Sequence, residues 1–98
     1  MRRWLLPALA CALLQAAGAA HAADAPPGAS SCSGCHAASK TVETPVPMLT
    51  GRKPAELVIA MREFKSGARP GTVMGRIAKG FSDPEIEAIA VWFGAQAN

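Results

Sequence analysis

The stretch that most constrains this chain is Cys32-Ser33-Gly34-Cys35-His36. The sequence has 98 residues and three cysteines, and two of the three fall within these five positions. Two cysteines so close together close a trivial loop, so a disulfide between them would do little for stability. Their use must be chemical, and the fold must be built around it.

The N-terminus shows where that chemistry takes place. Arg2-Arg3 precede an apolar run from Trp4 to Leu14, interrupted only by Pro7, and Ala-rich sequence follows up to Ala20-His21-Ala22. These are the three parts of a secretory signal peptide, with cleavage expected after Ala22. A membrane anchor would need about 20 mostly apolar residues, and the strong hydrophobes here stop at Leu14. Acylation at Cys11 would leave almost no apolar core before it, so Cys11 reads as a leader hydrophobe. Residues 1–22 are thus a cleaved signal, residues 23–98 one mature domain, and the destination is the periplasm, with no membrane span after cleavage.

Removing the leader changes the charge. The whole chain carries +3, but the 76 residues from Ala23 onward keep eight Lys and Arg against seven Asp and Glu, a net of +1. Nucleic-acid binding, which needs a large positive excess on one face, loses its support. A domain of about 76 residues rarely gains more than roughly 3–5 kcal/mol from its own core and usually needs a staple or a bound group.

C-x-x-C-H is the attachment pattern of a c-type haem: each thiol adds to a vinyl group, and the adjacent His36 is placed to ligate the iron. Residues three apart on a first helical turn share a side, within reach of two neighbouring edge groups of one porphyrin. Ser33 and Gly34 are small enough to let the backbone approach the ring. A thioredoxin-like C-x-x-C would need a preceding strand and a βαβ context, and a zinc site a further pair of ligands. The sequence offers none of these. Haem also answers the size problem, since each ~100 Å2 of surface it covers contributes roughly 2.5 kcal/mol. The chain without haem is expected to be largely unfolded.

The remaining sequence reads as all-α, three or four short helices around a covalently bound haem. Ser30 and Ser31 are expected to cap a first short helix that fades by residues 39–44. Pro45 and Pro47 force an extended segment. A second helix is expected from Pro54 to Ser66 with Gly67 as its stop, its stripe formed by Leu57, Val58, Met61 and Phe64. Residues 67–72 form a loop, and Met74 to Lys79 a further turn ended by Gly80. Ser82-Asp83-Pro84-Glu85 is a capping box, followed by Ile86, Ile89, Ala90, Phe93 and Ala97 at helical spacing.

His36 is the only histidine of the mature chain, so a methionine is the expected sixth ligand. Met61 sits on the apolar stripe and reads as core. Met48 lies only twelve residues after His36, in a segment expected to run along the proximal side. Met74, after a Gly/Pro-containing loop, is the favoured ligand.

Taken together, Cys32-x-x-Cys35-His36, Pro47-x-Leu49-x-Gly51, Met74 within Thr72 to Gly80, and Ser82-Asp83 before a Trp/Phe-bearing last helix resemble a small class I cytochrome c. The resemblance spans nearly all of residues 30–96. Within that class the chain is most similar to bacterial cytochromes that form the cytochrome subunit of flavocytochrome c sulfide dehydrogenase. It implies that the Pro47 carbonyl accepts from Nδ1–H of His36, that Leu49 packs on the porphyrin, and that Trp92 or Phe93 packs near residues 29–32. The chain has no tyrosine, which rules out a tyrosine bond to a haem propionate.

His36/Met74 ligation fills both axial positions and suits a one-electron carrier rather than an enzyme. The expected donor is a flavoprotein sulfide dehydrogenase subunit, the protein being a monomer or one half of a heterodimer. Two alternatives stand beside it: a free-standing cytochrome donating to a terminal oxidase or reductase, and a gas sensor or peroxidase if Met74 leaves the iron open. Arg52, Lys53, Arg62, Lys65, Arg69, Arg76 and Lys79 read either as ordinary solvated surface or as a ring that docks an acidic partner. With two haem propionates the mature charge falls to −1, so any positive docking surface is local.

Overall fold

The structure, a computed structural model, describes residues 24–96. The expected signal peptide, Cys11, the cleavage point and Ala97 lie outside them. Among the described residues the regular elements are all helical: α1 (Ala29–Cys32), α2 (Pro54–Ser66), α3 (Met74–Ile77) running into a 3-10 turn at Ala78–Gly80, and α4 (Asp83–Ala95). No helix among the described residues is long and apolar enough to cross a membrane.

The two long helices follow the local chemistry of their ends. Pro54 opens α2 at a position where its missing N–H costs nothing, and Gly67 closes it at φ +86, with its N–H on the Phe64 carbonyl. Ser82 caps α4 by accepting from the Glu85 amide at 3.3 Å. The box closes differently from the usual reciprocal pair. The Ser82 hydroxyl also donates to Oε1 of Glu85 at 2.9 Å, so the carboxylate engages the side chain of the cap.

The first helix departs from expectation. Its N-cap is Gly28, not a serine, and Ser30 and Ser31 lie inside the helix. Tertiary packing decides this. Gly28 sits at φ +88, and a Cβ there would come within 2.5 Å of Cε1 of Phe81. The left-handed turn and the close approach of an aromatic ring both exclude a side chain. Ser31 instead donates back to the Gly28 carbonyl at 2.6 Å. The helix proper ends at Cys32, but turns continue it through the Cys35 amide on Cys32 O (3.2 Å) and the His36 amide on the same carbonyl (2.9 Å).

α2 and α4 pack against each other and carry most of the core. Leu57, Ile89, Ala90, Phe93 and Ala29 of α1 form one buried cluster, with Cys32, Leu49, Val58, Phe81 and Trp92 packed on it. Phe93 thus reaches the first helix, while Trp92 meets the Phe93 ring edge-on at 4.8 Å. The chain enters α2 tight against the end of α4: the Gly51 amide bonds Phe93 O at 3.0 Å. Gly94 leaves no room there either, its absent Cβ lying 2.9 Å from Arg52 O.

Gly28→Ala should lower the stability of the folded protein by about 2–4 kcal/mol, from backbone strain plus the overlap with Phe81. Denaturant unfolding checks it, and an unchanged midpoint would remove Gly28 as the pivot of α1.

Candidate functional site

On one side of the α2–α4 pair lies a cavity of about 840 Å3. That volume falls within the ~300–1,000 Å3 range typical of cofactor sites. Cys32, Cys35 and His36 form part of its wall, and so do Pro47 and Leu49. Met61 and Met74 line it as well, whereas Met48 is not among its lining residues. The structure therefore gathers all six expected site residues, Cys32, Cys35, His36, Pro47, Leu49 and Met74, around one space.

Each is positioned by its own stretch of chain. The turns that follow α1 carry Cys35 and His36 to the same cavity as Cys32. The extended segment forced by Pro45 and Pro47 runs back past His36, and Nδ1 of His36 lies 2.6 Å from Pro47 O. A proline carbonyl can only accept, so Nδ1 carries the proton and Nε2 keeps its lone pair free for a metal. The same bond fixes the orientation of the ring. Leu49 touches the buried cluster on one side and the cavity on the other. Met74 arrives on α3, at the end of the loop that leaves α2.

The thiols are free, and they differ. Cys35 is exposed, whereas Cys32 is half-buried with its Sγ 3.7 Å from Gly28 O. Burial pushes the Cys32 thiol above its usual value, and a backbone hydrogen bond offsets only part of this. A redox-active C-x-x-C needs the opposite shift, a thiol held as thiolate near neutral pH. No three His, Cys, Asp or Glu side chains converge as a metal cluster among the described residues. What the wall offers an iron is the imidazole of His36 and the thioethers of Met61 and Met74, a donor set that suits an iron already held in a macrocycle.

The cavity suits such a group. Its wall is mainly apolar, and Leu57, Ile86, Ile89, Ala90 and Phe93 belong both to it and to the buried interior. Arg52 and Arg69 are the cations on the wall. Arg69 is paired to Glu63 at 2.8 Å, while Arg52 makes no ion pair among the described residues.

Two residues behave differently from their sequence reading. Met61, expected in the core, is half-buried on the cavity wall and outside the buried cluster. Phe64 of the same stripe also lines the cavity. Their helical spacing marks a buried face, but periodicity cannot tell a face packed on protein from one packed on a ligand. The row of basic residues is also broken up. Arg62 pairs with Glu87 at 2.9 Å, Lys65 with Asp83 at 3.7 Å and Arg69 with Glu63.

The chain is 42% identical over 64 residues to the cytochrome subunit of sulfide dehydrogenase of Chlorobaculum tepidum, covering 65% of this chain and 58% of that protein. It is 39% identical over 95 residues to a thiosulfate dehydrogenase electron acceptor of Thiomonas intermedia, covering 95% of this chain and 43% of that protein. The chain is thus similar to a cytochrome subunit of one dehydrogenase and to an electron acceptor of another. It spans less than two thirds of the length of either relative, and no protein-family model matches it. A cytochrome relative implies a haem, and the all-helical arrangement of the described residues is consistent with a small class I cytochrome c.

Proposed function

We propose that this chain is a periplasmic one-electron carrier. It holds a single haem c through Cys32 and Cys35, with His36 and Met74 as axial ligands, and receives electrons from a dehydrogenase of reduced sulfur compounds. The observation that carries the reading is the apolar cavity with the C-x-x-C-H turn and a thioether on its wall. When bound, the haem supplies a one-electron iron couple.

The chain's own residues account for the rest. Cys32 and Cys35 fix the orientation of the group by two thioether links. His36, held by Pro47 O, presents Nε2 to the iron. Met74 would supply the second protein ligand, so neither water nor a substrate would compete for the iron, and a thioether would raise the potential relative to a second imidazole. Leu49, Leu57 and Phe93 exclude water, which keeps the dielectric low around the redox centre and the structural change between its two oxidation states small.

The named relatives serve sulfide and thiosulfate dehydrogenases, and this supports a sulfur-oxidising donor. A flavoprotein subunit that oxidises sulfide is the proposed partner. Purification of the native protein tests this: a flavin-bearing subunit should copurify. A cytochrome that is isolated alone and is reduced only by a different dehydrogenase would place it downstream as a diffusing carrier.

Two outcomes are expected for the haem. The intact mass of the exported protein should equal residues 23–98 plus one haem, and Cys32→Ser/Cys35→Ser should release the haem into acidified organic solvent. A mass without haem defeats the proposal. Met74→Ala should abolish the charge-transfer band of the iron–thioether bond and lower the reduction potential, whereas Met48→Ala and Met61→Leu should keep the band. Loss of the band in Met61→Leu alone would move the ligand to α2.

A further inference from the structure

The segment between α2 and α4 that carries Met74 is tied at both ends to the last turn of one helix. At its start, Nε and Nη2 of Arg69 both lie 2.8 Å from Oε2 of Glu63. The Arg69 amide bonds the Glu63 carbonyl at 3.2 Å. The guanidinium lies 5.5 Å from the centroid of the Phe64 ring. Phe64 in turn presses on the same loop, since a Cβ on Gly71 would fall 2.6 Å from its Cε1. At its far end, Nζ of Lys65 donates to Phe81 O at 2.6 Å and lies 3.7 Å from Asp83. Three consecutive residues of α2, Glu63, Phe64 and Lys65, thus grip both ends of residues 67–81, and Met74 stands midway between them.

We propose that this grip is a two-point clasp that holds the Met74 thioether at the cavity against competing ligands. Arg69 and Lys65 are its positioning residues. The inference rests on the reading of Met74 as the sixth ligand and adds what governs the lifetime of that bond. A thioether is a weak, neutral donor, so its hold on iron depends on how little freedom the chain gains by letting go. If the ends of the loop are pinned, release of Met74 frees only a short arc. If either pin is cut, the segment gains freedom as soon as the thioether begins to leave, and departure becomes faster.

The arms differ in kind. The Arg69 arm combines a half-exposed ion pair with a stacked guanidinium, so salt weakens only part of it. The Lys65 arm ends chiefly on a backbone carbonyl at the entrance of α4 and ties the loop to the Ser82 cap. Lysine in place of Arg69 keeps the charge but loses the planar stack and the double contact with Glu63.

The test is imidazole binding to the oxidised, haem-loaded protein, followed by stopped-flow absorbance at saturating imidazole, where the rate is limited by departure of the thioether. Arg69→Gln and Lys65→Met are each expected to raise that rate roughly three- to tenfold, and the double variant more than either. Arg69→Lys should fall between Arg69→Gln and the parent. Arg62→Gln breaks the neighbouring Arg62–Glu87 pair, which does not touch the loop, and should leave the rate unchanged. Equal acceleration in Arg62→Gln would show general loosening of α2 and overturn the clasp, as would parental rates in both Arg69→Gln and Lys65→Met. Failure of the underlying reading looks different: the thioether band would then survive in Met74→Ala.

Discussion

The interior of this protein is an apolar wall with protein on one side and a cavity on the other, and the remaining features depend on that constraint. The buried hydrophobic residues among the described positions are Ala29, Leu57, Ala78, Ile86, Ile89, Ala90 and Phe93, and three of them are alanines. Five of the seven also line the cavity. A chain of this length cannot cover both faces of its one helix pair, so the packing that joins α2 to α4 leaves its second face for something else to cover. Stability and the capacity to hold a planar apolar group therefore come from the same side chains.

This arrangement explains which parts of the fold were legible in the sequence. Helix ends set by local chemistry were readable: Pro54 and Gly67 bound α2, and Ser82 with Glu85 starts α4. The start of α1 was not, because the reason for Gly28 lies in Phe81, far along the chain, whose ring occupies the space a Cβ would need. Ser30 and Ser31 have the right chemistry for a cap but the wrong place in the packing. Met61 was misplaced for a related reason. Leu57, Met61 and Phe64 share one apolar stripe, and the same stripe serves packing at Leu57 and the cavity at Met61.

The motif on the cavity wall was legible because it is local. Cys32, Cys35 and His36 are adjacent in the chain, so their spacing alone carries the geometry, and the bond from His36 to Pro47 O joins residues only eleven apart. The surface charge is the opposite case. Arg62 and Glu87 are 25 residues apart, and no periodicity links them. A row of seven cations in the sequence becomes three that are tied to acids of α2 and α4, plus Arg52, Lys53, Arg76 and Lys79. Exposed pairs of this kind contribute little to stability, with a median of about 0–1 kcal/mol. They do remove the paired cations from any surface offered to a partner. A docking face then has to be argued from these four, which make no ion pair among the described residues, on the α2 entrance and on the turn that carries Met74.

The two sulfurs on the cavity wall show how the fold divides labour between a rigid element and an adjustable one. Met61 sits within α2, whose backbone bonds and packing against α4 leave its position little latitude. Met74 stands at the head of a four-residue helix, between a Gly/Pro-containing loop and a 3-10 turn. A bond to a metal needs its donor atom placed within a few tenths of an ångström, and a short element on a loop can make that adjustment while a long packed helix cannot. The same mobility would let the donor leave. In the proposed ligation, tethering the ends of the loop to α2 would reconcile the two demands, because Met74 would keep room to settle at bonding distance and little room to depart.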